Sequence, residues 1–356
     1  MMEAARKGAK RVRGDGSSAL IAQPTMRLIS LANCISTDEK FGLKALDTSP
    51  AMATPIEHSA YELTELPQPT LRPLRGMPWE ESDEDFLRFR AELPPTLTPA
   101  TLCSHVVLPV GKQTDGVQRS DEWHKQRSFA VTASQFASAA HENPNMSSKK
   151  LLSEKVYPKR GGFQGNAYTE WGSVHEKHAE EAFIAFLSKF PESGALEHPS
   201  HIRHSSSAWL GFSPDALLWS ADRKEVALVE YKCPAYQRSG PGHPYAAKNA
   251  LCIPRQYMPQ IQGSMHILRE YLREHHPGVE CVRTWFVVWQ AHQFFVTHVP
   301  FVPQFANRIV HASSSFFHEE FIPACVEAIK EKEESVRQAA ARQAAQSAPP
   351  PAPQSS

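Results

Sequence analysis

Between Val226 and Cys233 the chain is apolar at almost every position, whichever alternate set is followed. Ala227, Val229, Tyr231 and Cys233 would line one face of an extended strand, and Val226 and Leu228 the other, beside Glu230. A strand apolar on both faces belongs at the centre of a sheet covered on both sides. Ala216 to Trp219 reads as its hairpin partner, with Ala221-Asp222-Arg223-Lys224 as the turn. With Asp222 and Arg223 as a two-residue loop, Asp215 falls opposite Glu230, about 5 Å away. Lys232 shares the face of Glu230.

Elsewhere the period is helical. Trp171, Val174, His175, His178, Ala179, Ala182, Phe183 and Phe186 fall on one broad stripe. Glu176 lies about 20° from Phe183 around that helix, which aims a carboxylate toward the core side. Tyr257, Ile261, Ser264, Met265 and Leu268 form a second stripe bordered by Gln260, with Pro259 tolerated near the helix start. Thr284–Trp289 and Gln293–Val299 read as another strand pair. Ser82–Leu93 is a short helix with Ser82 as N-cap, stopped by Pro94-Pro95. Around residue 125 a short helix carries Trp123 and Arg127 on one face. An extended piece, Phe129–Val131, follows, and a new helix capped by Thr132 or Ser134. Strands mixed with helices predict an α/β fold.

A length of 356 residues allows one large domain plus extensions. Residues 1–75 are rich in Ser, Thr, Pro and Ala without periodicity, so they are expected to be disordered or loosely attached. Residues 76–118 form an N-terminal extension, 119–330 the main domain, and 331–356 a helical then low-complexity Ala/Gln/Pro tail. Formal net charge is zero, so any surface for nucleic acid must be local rather than global. The six cysteines show no metal or disulfide spacing, which points to reduced thiols and an intracellular setting. No run is long enough for a membrane span and no signal peptide is visible. The basic segment Arg6–Arg13 would suit a nuclear or organellar address, or simply a solvated tail.

Four features carry chemistry. Asp215 and Glu230 offer hard oxygen ligands suited to Mg²⁺ or Mn²⁺, and Lys232 stands beside them to steady a water. Glu176 would supply a third carboxylate to that metal cluster. Arg127 facing the hydroxyls of a helix start makes an anion site, although an isolated segment of this kind is more often a capped helix with a surface Arg. Gln260 can orient a water or a phosphate oxygen. His175 and His178 invite a zinc reading, but they lack HExxH spacing and an evident third ligand, so packing is expected of them. His198, His201 and His204 are expected on a loop-strand surface.

Taken in order, EWHKQRSFAVTAS, WGSVHEKHAEEAF, GFSPDALL, LVEYKCP and QYMPQIQGSM resemble the YqaJ-like viral recombinase family. That family includes the lambda-type exonucleases of the PD-(D/E)xK nuclease superfamily. The resemblance spans about residues 119–300. It implies a restriction-endonuclease-like core, a central mixed β-sheet flanked by helices, and Mg²⁺-dependent (or Mn²⁺-dependent) hydrolysis of DNA. By motif position it implies Asp215, Glu230 and Glu176 at the metal, Lys232 assisting the water, and Gln260 as the catalytic glutamine. It also implies Arg127 and Ser134, with Trp123 nearby, on a DNA 5′-phosphate. Ala216 departs from the glycine usual after the Asp. The expected activity is a 5′-to-3′ exonuclease on duplex ends in recombination or repair. An endonuclease on the same fold, or a DNA-end-binding adaptor, are the alternatives. Double-stranded DNA ends, a single-strand annealing or recombination protein and a homo-oligomeric ring are the partners implied, and no membrane.

Overall fold

The computed structural model describes residues 27–30, 50–54, 76–107, 124, 127–161, 165–190, 193–235, 253–290 and 293–347. The strands are β1 (Arg27–Ser30), β2 (Pro50–Thr54), β3 (Val131–Thr132), β4 (Ser193–Glu197), β5 (Ile202–His204), β6 (Ser207–Phe212), β7 (Ala216–Ser220), β8 (Glu225–Lys232), β9 (Glu280–Gln290) and β10 (Gln293–Pro300). The helices are α1 (Asp83–Glu92), α2 (Pro99–Val106), α3 (Phe136–Ala139), α4 (Ser148–Val156), α5 (Pro158–Gly161), α6 (Ala167–Leu187), α7 (Tyr257–His275), α8 (Pro303–Ser315) and α9 (Ile322–Ser347). Of residues 1–75 only β1 and β2 are described, paired at one edge of the sheet; Trp123 and the tail after Ser347 also lie outside the described residues.

The expected mixed sheet is present. Seven strands run β1-β2-β10-β9-β8-β7-β4, all neighbours antiparallel except the parallel pair β8 and β9. A smaller sheet, β3-β6-β5, again mixes parallel and antiparallel pairing. Strand β8 sits inside the larger sheet and is covered on both faces. Val226 and Leu228 pack with Ile261, Met265 and Leu268 of α7. Ala227, Val229, Tyr231 and Cys233 pack with Trp171, Ala179, Phe183 and Phe186 of α6. The 2-residue period of the strand therefore feeds two separate cores.

The hairpin register is the one read from sequence: Ala216 faces Val229, and Trp219 faces Val226. The loop differs. Residues 221–224 all lie outside the strands, with Arg223 at φ 56° and the Asp222 carboxylate accepting from the Lys224 N–H at 3.1 Å. Lengthening the loop by one residue on each side leaves the register unchanged. Helix α6 begins a turn earlier than expected, because Asn166 Oδ1 accepts from the N–H groups of Tyr168 and Thr169, both at 3.0 Å. Val174, expected on the buried stripe, is 45 % exposed. Helix α1 is capped by Ser82, as expected. In α7 Pro259 is the third residue, where its missing N–H costs nothing because first-turn N–H groups have no partner in the helix.

Candidate active site

Asp215 stands immediately before β7, and its Oδ2 accepts from the Tyr231 backbone N–H at 2.7 Å. Its carbonyl accepts from His198 Nδ1 at 2.9 Å. The β8 backbone therefore fixes this carboxylate, and His198 fixes the main chain that carries it. Across from it Glu230 is 4 % exposed. Its Oε1 receives the Lys232 ammonium in a close ion pair and Gln260 Nε2 at 2.6 Å. Lys232 reaches it by the strand period, and Gln260 by projecting from the first turn of α7 across the face where β8 carries Glu230.

The charges are concentrated enough to perturb one another. Burial, then Glu230, then Glu176 push the Asp215 carboxyl well above the usual carboxylate range, against the pull of Lys232. Burial by itself would lower the Lys232 ammonium, but Glu230 and Asp215 more than offset it, so its pKa is raised above the ordinary lysine value. Glu176 comes from α6 on the opposite side of the sheet and is half-buried. Its field is felt at Asp215 and also at Cys233, whose thiol is pushed up by burial and by Glu176. Glu176 thus lies near the end of β8, as its position on the stripe suggests.

The donor set fits a hard divalent cation. It is made of carboxylates, partly desolvated, with more negative charge than one ammonium neutralises. Among the described residues, no group of three or more His, Cys, Asp or Glu side chains is arranged to hold a metal ion, and Lys232 and Gln260 both bond one oxygen of Glu230. The histidines of α6 are packed. His175 stacks on Trp171 at 3.6 Å and on Trp289 at 5.2 Å, with Nδ1 2.8 Å from the Trp171 carbonyl.

A second cluster adjoins the first. Arg127 Nη1 donates to Ser213 Oγ at 2.9 Å, and Nη2 to Thr132 Oγ1 at 3.3 Å. Thr132 Oγ1 lies 3.4 Å from Ser134 Oγ, and Ser134 is exposed. Burial lowers the Arg127 pKa to about 10, which still leaves it cationic at neutral pH. The helix expected after Thr132 is only a 3₁₀ turn, Ala133–Gln135, followed by the single turn α3. Its dipole is correspondingly small, so hydroxyls and the guanidinium dominate here. Ser213 and Asp215 are two residues apart, a reach of at most about 7 Å, so the two clusters share one short segment.

Sequence reasoning missed Ser213, His198 and His201. Ser213 was visible as the residue heading Ser213-Pro214-Asp215. His198 is exposed, as expected, and only its bond to the Asp215 carbonyl went unseen; His201 was not visible, because nothing local tells a buried loop histidine from an exposed one. His201 and His204, expected at the surface, are 1 % and 8 % exposed. The smaller sheet folds their segment inward, and His204 stacks on His266 of α7 at 5.4 Å.

Residues 122–269 match the YqaJ-like viral recombinase domain, the family that the five sequence motifs resemble. No curated protein matches the chain significantly. Among solved structures, an alkaline exonuclease (LHK-Exo) from Laribacter hongkongensis is similar at 22 % identity and TM-score 0.44, over 62 % of this chain and 99 % of that one. The shutoff and exonuclease protein of Kaposi's sarcoma-associated herpesvirus is similar at 10 % identity and TM-score 0.39, over 67 % and 77 %. A SOX–DNA complex is similar at 11 % identity and TM-score 0.38, over 58 % and 68 %.

Proposed function

We propose that this chain is a divalent-metal DNA nuclease that degrades duplex DNA from its 5′ ends in recombination or repair. The observation that carries the reading is the convergence of Asp215, Glu230, Lys232 and Gln260 at one strand end, two residues from the Arg127–Ser213 cluster. The match of residues 122–269 to a viral recombinase domain supports it. Asp215 and Glu230, with Glu176 near them, would hold Mg²⁺ or Mn²⁺. The ion would neutralise charge developing on the phosphate. Lys232, with its raised pKa, stays protonated at neutral pH. It therefore acts as a hydrogen-bond donor that orients the attacking water or a phosphate oxygen, not as a base. Gln260 fixes Glu230 and offers an amide to the same oxygens.

Arg127, Ser213, Thr132 and Ser134 would form the 5′-phosphate pocket. Arg127 brings a fork of donors and the hydroxyls bring neutral ones. A terminal phosphomonoester carries more charge than an internal diester, so such a pocket distinguishes an end from a continuous strand. Holding the end also sets the scissile bond in register with the carboxylates.

The test is purified protein with Mg²⁺ on linear and covalently closed duplex DNA, labelled at either end, with 5′-phosphate or 5′-hydroxyl termini. Fastest loss of 5′-phosphorylated linear DNA is expected, and Arg127→Ala should remove most of that preference. Activity in EDTA rejects the metal. Rapid cutting of closed circles rejects the pocket and makes the enzyme an endonuclease, and no cutting with intact end binding makes it an adaptor.

A further inference from the structure

We propose that Lys155 is a positioning residue of the 5′-phosphate pocket: its ammonium clamps the main chain that carries Arg127 and adds a buried positive charge for which a terminal phosphate is the counter-ion. The inference rests on the 5′-phosphate reading above and deepens it.

Lys155 lies in the last turn of α4. Its Nζ donates to the Ala130 carbonyl at 2.8 Å and, more loosely, to the Ser128 carbonyl at 3.5 Å. Both carbonyls belong to the short segment between Arg127 and Thr132. The Ala130 N–H closes that segment by donating to the Arg127 carbonyl at 3.2 Å. Across it, Arg127 Nη2 donates to Thr132 Oγ1 at 3.3 Å. One ammonium therefore ties down the main chain from which Arg127 and Thr132 both project.

Carbonyls accept from a neutral donor too, so the clamp does not by itself call for a cation. Among the described residues, Lys155 forms no ion pair with a carboxylate. Its remaining partner is the Phe321 ring, whose centroid is 4.6 Å from Nζ. An ammonium out of water without a counter-ion is costly. Burial lowers its pKa to about 8, and Arg127 pushes in the same direction against the pull of Cys325. Cys325, from α9, gives no counter-charge at neutral pH, because burial pushes its own thiol well above the ordinary value. The other charged groups on elements packed against α4 are engaged elsewhere or face solvent. Lys159 pairs with Glu81, Arg160 lies over the Tyr157 ring, Glu331 accepts from the Tyr157 hydroxyl, and His318 and Glu319 are exposed.

An anion held by Arg127 supplies what Lys155 lacks. It acts through the low-dielectric interior and needs no contact with the ammonium. A terminal phosphomonoester, with a second pKa of about 6, is a dianion through the range in which Lys155 titrates. A 5′-hydroxyl brings no such charge. Bound phosphate should therefore raise the Lys155 pKa, and by linkage the phosphate binds best where Lys155 is protonated. The advantage of a phosphorylated end is full below the free-protein pKa and falls as pH rises through it.

Fluorescence anisotropy in EDTA, where cleavage is blocked, gives the affinity of one labelled duplex with either a 5′-phosphate or a 5′-hydroxyl end. The ratio of the two affinities is read from pH 7 to 9 at constant ionic strength. In the wild type the ratio is expected to fall about five- to tenfold over that range, the loss that follows when bound phosphate keeps Lys155 protonated at pH 9. Lys155→Met keeps the length and removes the charge. It is expected to lower the ratio about tenfold at pH 7 and to leave it flat, within about twofold, up to pH 9. If Lys155→Met does not fold by circular dichroism, Lys155→Gln replaces it, with the same loss and the same flat profile expected because it too is uncharged. A flat wild-type ratio, a wild-type ratio at pH 7 in the uncharged variant, or a pH dependence that survives in it overturns the assignment while leaving the phosphate pocket standing. Equal affinity of the wild type for both ends at pH 7 overturns the pocket, and this inference with it.

Discussion

Replacing Lys232 by Met removes an ammonium and keeps most of the volume, so its cost reads the electrostatics of the carboxylate pair. Lys232 and Glu230 are 20 % and 6 % exposed at their side chains. Breaking a buried pair from one side costs about 3–5 kcal/mol. Gln260 still donates to Glu230, at 2.6 Å, and the pair can take up a proton, so a loss of about 2–4 kcal/mol is expected at pH 8 in EDTA. The sign with pH follows from Asp215. Its folded-state pKa already lies above the unfolded value, raised first by burial and then by Glu230, and Lys232 is what restrains it. A carboxyl with a raised folded pKa contributes stability below its unfolded pKa and loses it as pH rises through the folded one. Without Lys232 that loss deepens, so the penalty should shrink toward pH 5 and be largest at pH 8. At about 2–4 °C per kcal/mol for a domain of this size, the Tm should fall by roughly 5–15 °C at pH 8 and by much less at pH 5. Mg²⁺ should recover part of it by replacing the missing positive charge. Thermal melts of both proteins at the two pH values, with EDTA or Mg²⁺, measure this. DNA cleavage per folded molecule should fall by about 10²–10⁴. A Tm loss equal at both pH values would show that Lys232 matters for packing, and near-normal cleavage would remove it from the chemistry.

Glu176→Gln keeps shape and removes one negative charge from the field at Asp215, so lost cleavage with an unchanged or slightly raised Tm in EDTA is expected; early melting with normal cleavage would make Glu176 structural. Lys155 is held by the Ala130 carbonyl at 2.8 Å, and burial lowers its pKa to about 8. Since the unfolded chain binds that proton more tightly, wild-type stability relative to Lys155→Met should rise by roughly 1–3 kcal/mol from pH 7.5 to 10 in urea titrations, and parallel curves would refute the shift. At Gly263 of α7 a Cβ would lie 2.4 Å from Cδ2 and Cε2 of the fully buried Phe136. Gly263→Ala should therefore cost about 1–3 kcal/mol and, by displacing the segment that carries Ser134, weaken discrimination for 5′-phosphate ends; an unchanged Tm would mean that the ring moves aside freely.

Much of this was legible in the residues themselves. The hairpin register, the burial of both faces of β8 and the pairing of Glu230 with Lys232 follow from a 2-residue period, which is a local property. The position of Glu176 on its helix likewise follows from 100° per residue. Contacts made over longer separations were not legible. Nothing in the local pattern of α7 says that Gln260 reaches Glu230 from thirty residues away, because a half-exposed helix Gln looks the same with or without a partner. The seating of Arg127 on Ser213 spans eighty-six residues and depends on β3 pairing with β6. His201 and His204 were misplaced for the same reason. Sequence gives a histidine's neighbours along the chain, while its burial is decided by the small sheet and by the absence of a Cβ at Gly211. The chain's periodicities determined the elements and which chemical groups each one presents; only the tertiary packing decided which groups meet, because meeting depends on the stacking of layers that are distant in sequence.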